Sequence, residues 1–170
     1  AKKIKYVYYT NRNIIIFKED IMLTDILKEK YIKLNVECKD WEDAIRTAGQ
    51  ILIDNGIATN EYVEDAIEGV KELGPYVVIT KGVALPHATN KKGVFKTGIS
   101  LMTLKNPVEF GNKDNDPVYY VFMLATTDMD SHINALSNLS ELLAKQEFYD
   151  ILKNASDEKS VIEYIKANEN

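Results

Sequence analysis

The sequence predicts a single-domain α/β protein, a small mixed β-sheet flanked by helices on both faces. Three observations carry this. Trp41, Ala44, Ile45, Ala48, Ile51 and Leu52 recur at i, i+3, i+4, i+7, i+10 and i+11, the stripe of an amphipathic helix. Val118–Thr126 is almost continuously apolar, as an interior strand covered on both sides must be. Helical periodicity then returns from Ser131 to the end. With 170 residues the chain can bury a substantial core, and no repeat, low-complexity tract or linker interrupts it after Met22.

Residues 1–21 read differently. Fifteen of them are Lys, Ile, Tyr, Asn or Phe, residues with A/T-rich codons. Lys18-Glu19-Asp20, just before Met22, can be encoded as AAG-GAG-GAT, which contains a ribosome-binding sequence. One reading is therefore a translated leader, with the natural protein starting at Met22. The other is a short hairpin of Lys5–Tyr9 and Ile14–Phe17 turning at Thr10-Asn11-Arg12-Asn13. The organisation is a 1–21 N-terminal extension followed by a 22–170 domain.

Within that domain, Leu23–Lys28 is a short helical piece leading to an extended Ile32–Val36. Asp40 caps the helix that opens at Trp41, because its carboxylate can accept an otherwise orphaned N–H of the first turn. Gly56 ends that helix. Tyr62, Val63, Ala66, Ile67 and Val70 mark a second helix over 60–72. Gly74-Pro75 breaks the chain, and Tyr76–Thr80 follows as a strand. Further strands are expected at Gly98–Leu104 and Val118–Thr126, with Asn106-Pro107 and Gly111–Asp116 as loops between them. Helices return over 131–145, 146–153 and 157–167. The last has Ser156 as cap, with Asp157 and Glu158 in its first turn, where the helix dipole favours negative charge.

Composition narrows the function. Apolar residues make up 45% and charged residues 28%, the balance of a soluble globular protein. No apolar stretch approaches the ~20 residues of a membrane span, and no signal peptide is visible. The net charge is −5. Without the five basic and two acidic groups of residues 1–21 it becomes 16 against 24, or −8. A nucleic-acid partner needs clustered Lys and Arg, so none is expected. The single cysteine, Cys38, can form no internal disulfide and suits a reducing cytoplasm. It lies in Glu37-Cys38-Lys39 with no anion-binding loop beside it, which argues against a catalytic thiol. There is no Walker-type glycine loop and no G-x-S-x-G elbow. The acids of Asn112–Asp116 lack calcium-loop spacing and read as a solvated loop.

The two histidines remain. His87 follows a strand-like run and Leu85-Pro86, at a strand-to-loop edge ahead of Thr89-Asn90-Lys91-Lys92-Gly93. Such edges are where α/β sheets bind ligands. His132 lies in the first turn of a helix, on the stripe His132, Leu136, Leu139 and Leu143, and so should point at the sheet. It reads either as a core histidine or as a neutral imidazole that gains a proton when a phosphate arrives. Two histidines without ligand spacing make no metal site.

These residues stand in a recognisable frame. Trp41-Glu42-Asp43-Ala44-Ile45, Gly74-Pro75-Tyr76-Val77-Val78-Ile79, Gly82-Val83-Ala84-Leu85-Pro86-His87-Ala88, Thr97-Gly98-Ile99-Ser100-Leu101, Pro107-Val108-Glu109-Phe110-Gly111, Asn115-Asp116-Pro117-Val118 and Asp130-Ser131-His132-Ile133-Asn134-Ala135-Leu136 occur in order over about 23–165. The chain resembles the mannitol/fructose-type (type-2) enzyme IIA domains of the bacterial phosphoenolpyruvate:sugar phosphotransferase system, and within them the ascorbate-type single-domain members.

The resemblance implies the mannitol-type IIA fold, with His87 as the phosphorylated nucleophile and His132 as the residue that stabilises and orients the phosphate. It implies the HPr phosphocarrier as donor, a IIB component as acceptor, and a membrane permease IIC served only indirectly, with no membrane insertion. No cofactor or metal is needed, because transfer requires in-line alignment and charge neutralisation. Donors to the phosphate would be His132, the N–H groups of residues 130–133, and Lys81. Mannitol- and fructose-type members carry an arginine upstream of the histidine; here that neighbourhood offers Lys71 and Lys81 instead. Val83, Leu85, Phe95 and Met129 are candidates for an apolar docking patch. The alternative is a regulatory IIA-like domain of a transcription antiterminator or activator.

Overall fold

The computed structural model describes residues 4–9, 15–19 and 21–169. At the N-terminus, β1 (Ile4–Tyr9) and β2 (Ile15–Glu19) pair antiparallel with Tyr9 opposite Ile15. The predicted hairpin is thus present as strands, while its turn at Thr10–Asn13 lies outside the described residues.

The domain's sheet comprises β3 (Ile32–Val36), β4 (Val78–Thr80), β5 (Val83–Ala84), β6 (Gly98–Val108) and β7 (Val118–Ala125), in the order β3-β6-β7-β5-β4. The β3–β6 and β5–β7 pairs are parallel; β6–β7 and β4–β5 are antiparallel. One face is covered by α2 (Trp41–Asp54) and α3 (Asn60–Leu73). The other packs on α1 (Leu23–Ile26), α4 (Met129–Leu143), α5 (Gln146–Asn154) and α6 (Glu158–Asn168).

This division explains the unbroken apolar run of β7. Val121, Met123 and Ala125 face α2 and α3, while Phe122 and Leu124 face the opposite helices. Side chains alternate along a strand, so a sheet buried on both faces needs apolar residues at every position. Full burial of residues such as Phe122 is worth about 1.5–3 kcal/mol each.

The helix starts are set by acids. Asp40 accepts from Asp43 N–H at 2.8 Å, as expected from the sequence. The predicted Ser156 cap is displaced by Asp157, whose carboxylate accepts from Ser160 N–H at 2.8 Å, so α6 begins at Glu158. Similarly, α4 begins two residues before Ser131, capped by Asp128. For α6 the acid one residue after Ser156 supplies the acceptor, and for α4 the acid three residues before Ser131 does.

Two expected loops are more ordered than their composition suggests. Asn106-Pro107 lies inside β6, where the pairing with β7 slips between Thr103 and Val108; Pro107 has no N–H to lose at such an irregularity. In the Asn112–Asp116 loop the Asp116 carboxylate accepts from the N–H groups of Phe110, Gly111 and Asn112 at 3.1, 2.7 and 3.0 Å. Asn112 and Asn115 donate their amides to Pro75 and Val78 carbonyls. Gly82, at φ +76°, turns β4 into β5 and donates to the Asn115 carbonyl at 2.9 Å. The segment leading into His87 is therefore supported from below.

Candidate functional site

His87 sits immediately beyond β5, on backbone fixed residue by residue. Leu85 N–H donates to Val77 carbonyl at 2.7 Å, and Leu124 N–H donates to Pro86 carbonyl at 3.0 Å. Beyond the histidine, Ala88 N–H donates to the Tyr62 hydroxyl at 3.2 Å, and that hydroxyl donates to Leu124 carbonyl at 2.6 Å. Tyr62 is buried, which pushes its phenol up to about 12 and keeps it a neutral donor.

The His87 ring is oriented as well. Its Nδ1 lies 2.8 Å from the Leu85 carbonyl oxygen. A carbonyl oxygen can only accept, so Nδ1 carries the proton and Nε2 carries the free lone pair. Tyr76 stands edge-on to the ring, centroids 5.6 Å apart at 89°, and its hydroxyl donates to His87 carbonyl at 3.4 Å.

His132 meets His87 from α4, with ring centroids 5.6 Å apart at 62°. The expected stripe is rotated: Ser131, Ala135, Leu139 and Leu142 are the buried residues of α4, leaving His132, Leu136 and Leu143 half-buried at its flank. His132 therefore edges the sheet instead of entering the core. Burial, the neighbouring His87 and the positive charge of Lys91 hold its proton affinity below the ordinary histidine range.

Both histidines line one cavity of about 220 Å³ with Ala88, Thr89, Lys91, Thr126 and Met129. Neither upstream lysine is part of it. Lys71 pairs with Glu42 and Glu68 at 3.6 and 3.3 Å, and Lys81 is exposed away from the lining residues. The basic residue that does line the cavity, Lys91, was visible in the sequence only as part of a polar loop four residues after His87.

The start of α4 is less open than expected. Asp128 accepts from Ser131 N–H at 2.8 Å through its carboxylate and from His132 N–H at 3.2 Å through its carbonyl. Two of the N–H groups proposed for phosphate are thus already engaged. Of the four docking candidates, Val83 and Leu85 are buried, whereas Phe95 and Met129 are 69% and 59% exposed. Ile133, one turn along from Met129, is 56% exposed. Cys38 is half-buried, and burial together with Asp43 and Asp40 raises its thiol above the ordinary range, the opposite of nucleophilic activation. Among the described residues no group of three or more His, Cys, Asp or Glu is placed to hold a metal, and no helix is long and apolar enough to cross a membrane.

Comparison with known proteins gives a consistent result. Residues 25–168 match the family described as phosphoenolpyruvate-dependent sugar phosphotransferase system, EIIA 2. The chain is 35% identical over 145 residues to the ascorbate-specific PTS system EIIA component of Escherichia coli K12, covering 84% of this chain and 94% of that one. Its fold matches the mannitol-specific cryptic phosphotransferase enzyme IIA CmtB of Escherichia coli at a TM-score of 0.76 and 35% identity, over 87% of this chain and all 100% of that one. It also matches a chain in the Escherichia coli complex of enzyme IIAMTL with phosphorylated enzyme IIBMTL, at a TM-score of 0.73, 26% identity and coverage of 84% and 100%.

Proposed function

Because the chain belongs to the EIIA 2 family of the phosphoenolpyruvate-dependent sugar phosphotransferase system, and is a phosphotransferase component of sugar uptake, we propose that His87 is the residue it phosphorylates and that His132 stabilises and orients the phosphoryl group. The observation that carries this is the pairing of the two rings in one cavity, with Nδ1 of His87 tied to Leu85 carbonyl.

The chemistry follows from that geometry. The Nε2 lone pair of His87 attacks phosphorus in line with the bond to the donor. The Nε2–P bond forms as the donor–P bond breaks, and its electron pair leaves with the donor atom. Nδ1 keeps its proton on Leu85 carbonyl, so the ring carries the positive charge and no base is required. Passing the group on reverses these changes. His132 is neutral before transfer because a proton there is disfavoured; a dianionic phosphoryl group beside it reverses the preference and makes it a cationic donor.

The donor is the HPr phosphocarrier and the acceptor a IIB component, which serves the permease IIC; the IIAMTL–IIBMTL complex supports the second step. The sugar is ascorbate, as the name of the 35%-identical relative suggests. The carrier acts in the cytoplasm, where its donor resides. Residues 22–170 form the carrier domain, a boundary supported by the family match over 25–168.

The test is incubation with phosphoenolpyruvate, enzyme I and HPr, followed by intact mass. One phosphate stable to base, lost in acid and absent from His87→Ala supports the assignment. Unchanged labelling of His87→Ala removes it.

A further inference from the structure

We propose that Lys91 is a further catalytic residue of this transfer, the cation that neutralises the phosphoryl oxygens as the group moves onto and off Nε2 of His87; the proposal rests on His87 being the phosphorylated residue. Lys91 lines the same cavity as both histidines and is half-buried there. Its charge reaches His132, whose proton affinity it helps to depress.

The neighbouring lysines are differently employed. Lys71 is bound by Glu42 and Glu68, and Lys92 by Glu61 at 3.2 Å. Among the described residues no carboxylate pairs with Lys91, so its charge is available to an incoming anion. Its backbone is also fixed. Val94 N–H donates to the Lys91 carbonyl at 3.2 Å, closing a turn through Gly93 at φ +83°. Thr59 N–H donates to Gly93 carbonyl at 2.8 Å, and Phe95 N–H to Ile57 carbonyl at 2.8 Å. At the other end Ala88 is held by Tyr62. A Cβ at residue 93 would run into the Thr59 hydroxyl, so the close approach that anchors this loop requires glycine.

The chemistry asks for such a group. Negative charge on the three equatorial phosphoryl oxygens must be met from the side while donor, phosphorus and Nε2 stay in line. An ammonium is a compact point charge on a flexible stem and makes no fixed fork. It can follow phosphorus from the donor side to the histidine side. Lys91 exchanges no proton in the step and remains an ammonium throughout.

The experiment compares Lys91→Met, Lys91→Arg and Lys92→Met in the full chain, measuring phosphorylation by enzyme I and HPr as kcat and KM for HPr, and the His132 titration by NMR without phosphate. Loss of one charge-assisted contact predicts a kcat roughly 10–100-fold lower for Lys91→Met, with KM little changed and substantial recovery in Lys91→Arg. Lys92→Met leaves kcat unaltered. The His132 midpoint rises in Lys91→Met alone, a readout that requires no turnover. A Lys91→Met kcat equal to that of Lys92→Met, or a loss confined to KM, overturns the proposal. If the parent protein accepts no phosphate, the His87 assignment itself fails; if labelling depends on His87 but not on Lys91, only the present inference does.

Discussion

His87 and His132 face each other across 5.6 Å at an interplanar angle of 62°, one fixed by a carbonyl at Nδ1 and the other starved of its proton by burial and two neighbours. The pair is asymmetric before any phosphate arrives. That asymmetry gives each ring a separate experimental signature.

For His132 the signature is a titration. Its midpoint in the free protein lies below the ordinary value near 6.5 and moves upward when His87 is phosphorylated. The same depression affects stability. An unfolded histidine binds its proton more tightly than the folded one, so stability falls as pH drops from about 6.5 through the lower folded value. His132→Gln flattens that part of the stability–pH curve and slows transfer while leaving some phosphorylation. NMR titration and denaturant midpoints at several pH values check both; an unaltered transfer rate would return His132 to a packing role.

For His87 the signature is tautomeric. Nitrogen chemical shifts of labelled protein are expected to report Nδ1 protonated in the free state, and phosphorus bonded to Nε2 after phosphorylation. A Nδ1 adduct would contradict the hydrogen bond to Leu85 carbonyl.

Tyr62→Phe removes a hydroxyl that serves both Ala88 N–H and Leu124 carbonyl. Leaving buried polar groups unsatisfied costs about 1–3 kcal/mol, visible as a lowered denaturation midpoint. Because Ala88 follows His87, phosphorylation slows as well. Rates unchanged at temperatures where the variant is folded would confine Tyr62 to stability.

Asp128→Ala deletes the cap of α4 and lowers stability by about 1 kcal/mol. Phe122→Ala, in the centre of β7, lowers it by about 3–5 kcal/mol. Chemical denaturation measures the ratio, and a larger effect at Asp128 would show that the helix start carries more than its cap.

Much of the fold was legible in the sequence because it is periodic. The α2 stripe and the apolar β7 are local patterns, and both elements appear as expected. The meeting of His87 and His132 was legible through the resemblance that paired them, and the structure brings both rings to one cavity. Lys91 and Tyr62 were not. Tyr62 reads as an ordinary core position of α3, and its tie to Ala88 spans 26 residues of chain. Lys91 sits in an unremarkable polar loop whose course is set by contacts distant in sequence, among them Thr59–Gly93, Ile57–Phe95 and Tyr62–Ala88. The Asn112–Asp116 loop was underestimated because its order comes from side chains bonding to backbone, which composition does not reveal.

On the proposed assignment, the cavity lined by His87 and His132 presents one nucleophile, Nε2 of His87, to both partners. Supplier and recipient must therefore take turns there, and neither can wait while the other is bound. Kinetics with both partners present should show parallel double-reciprocal lines, and unphosphorylated HPr should compete directly with the IIB component. Throughput is then governed by how quickly each spent partner departs, so binding that is too tight on either side becomes an obstacle to flux.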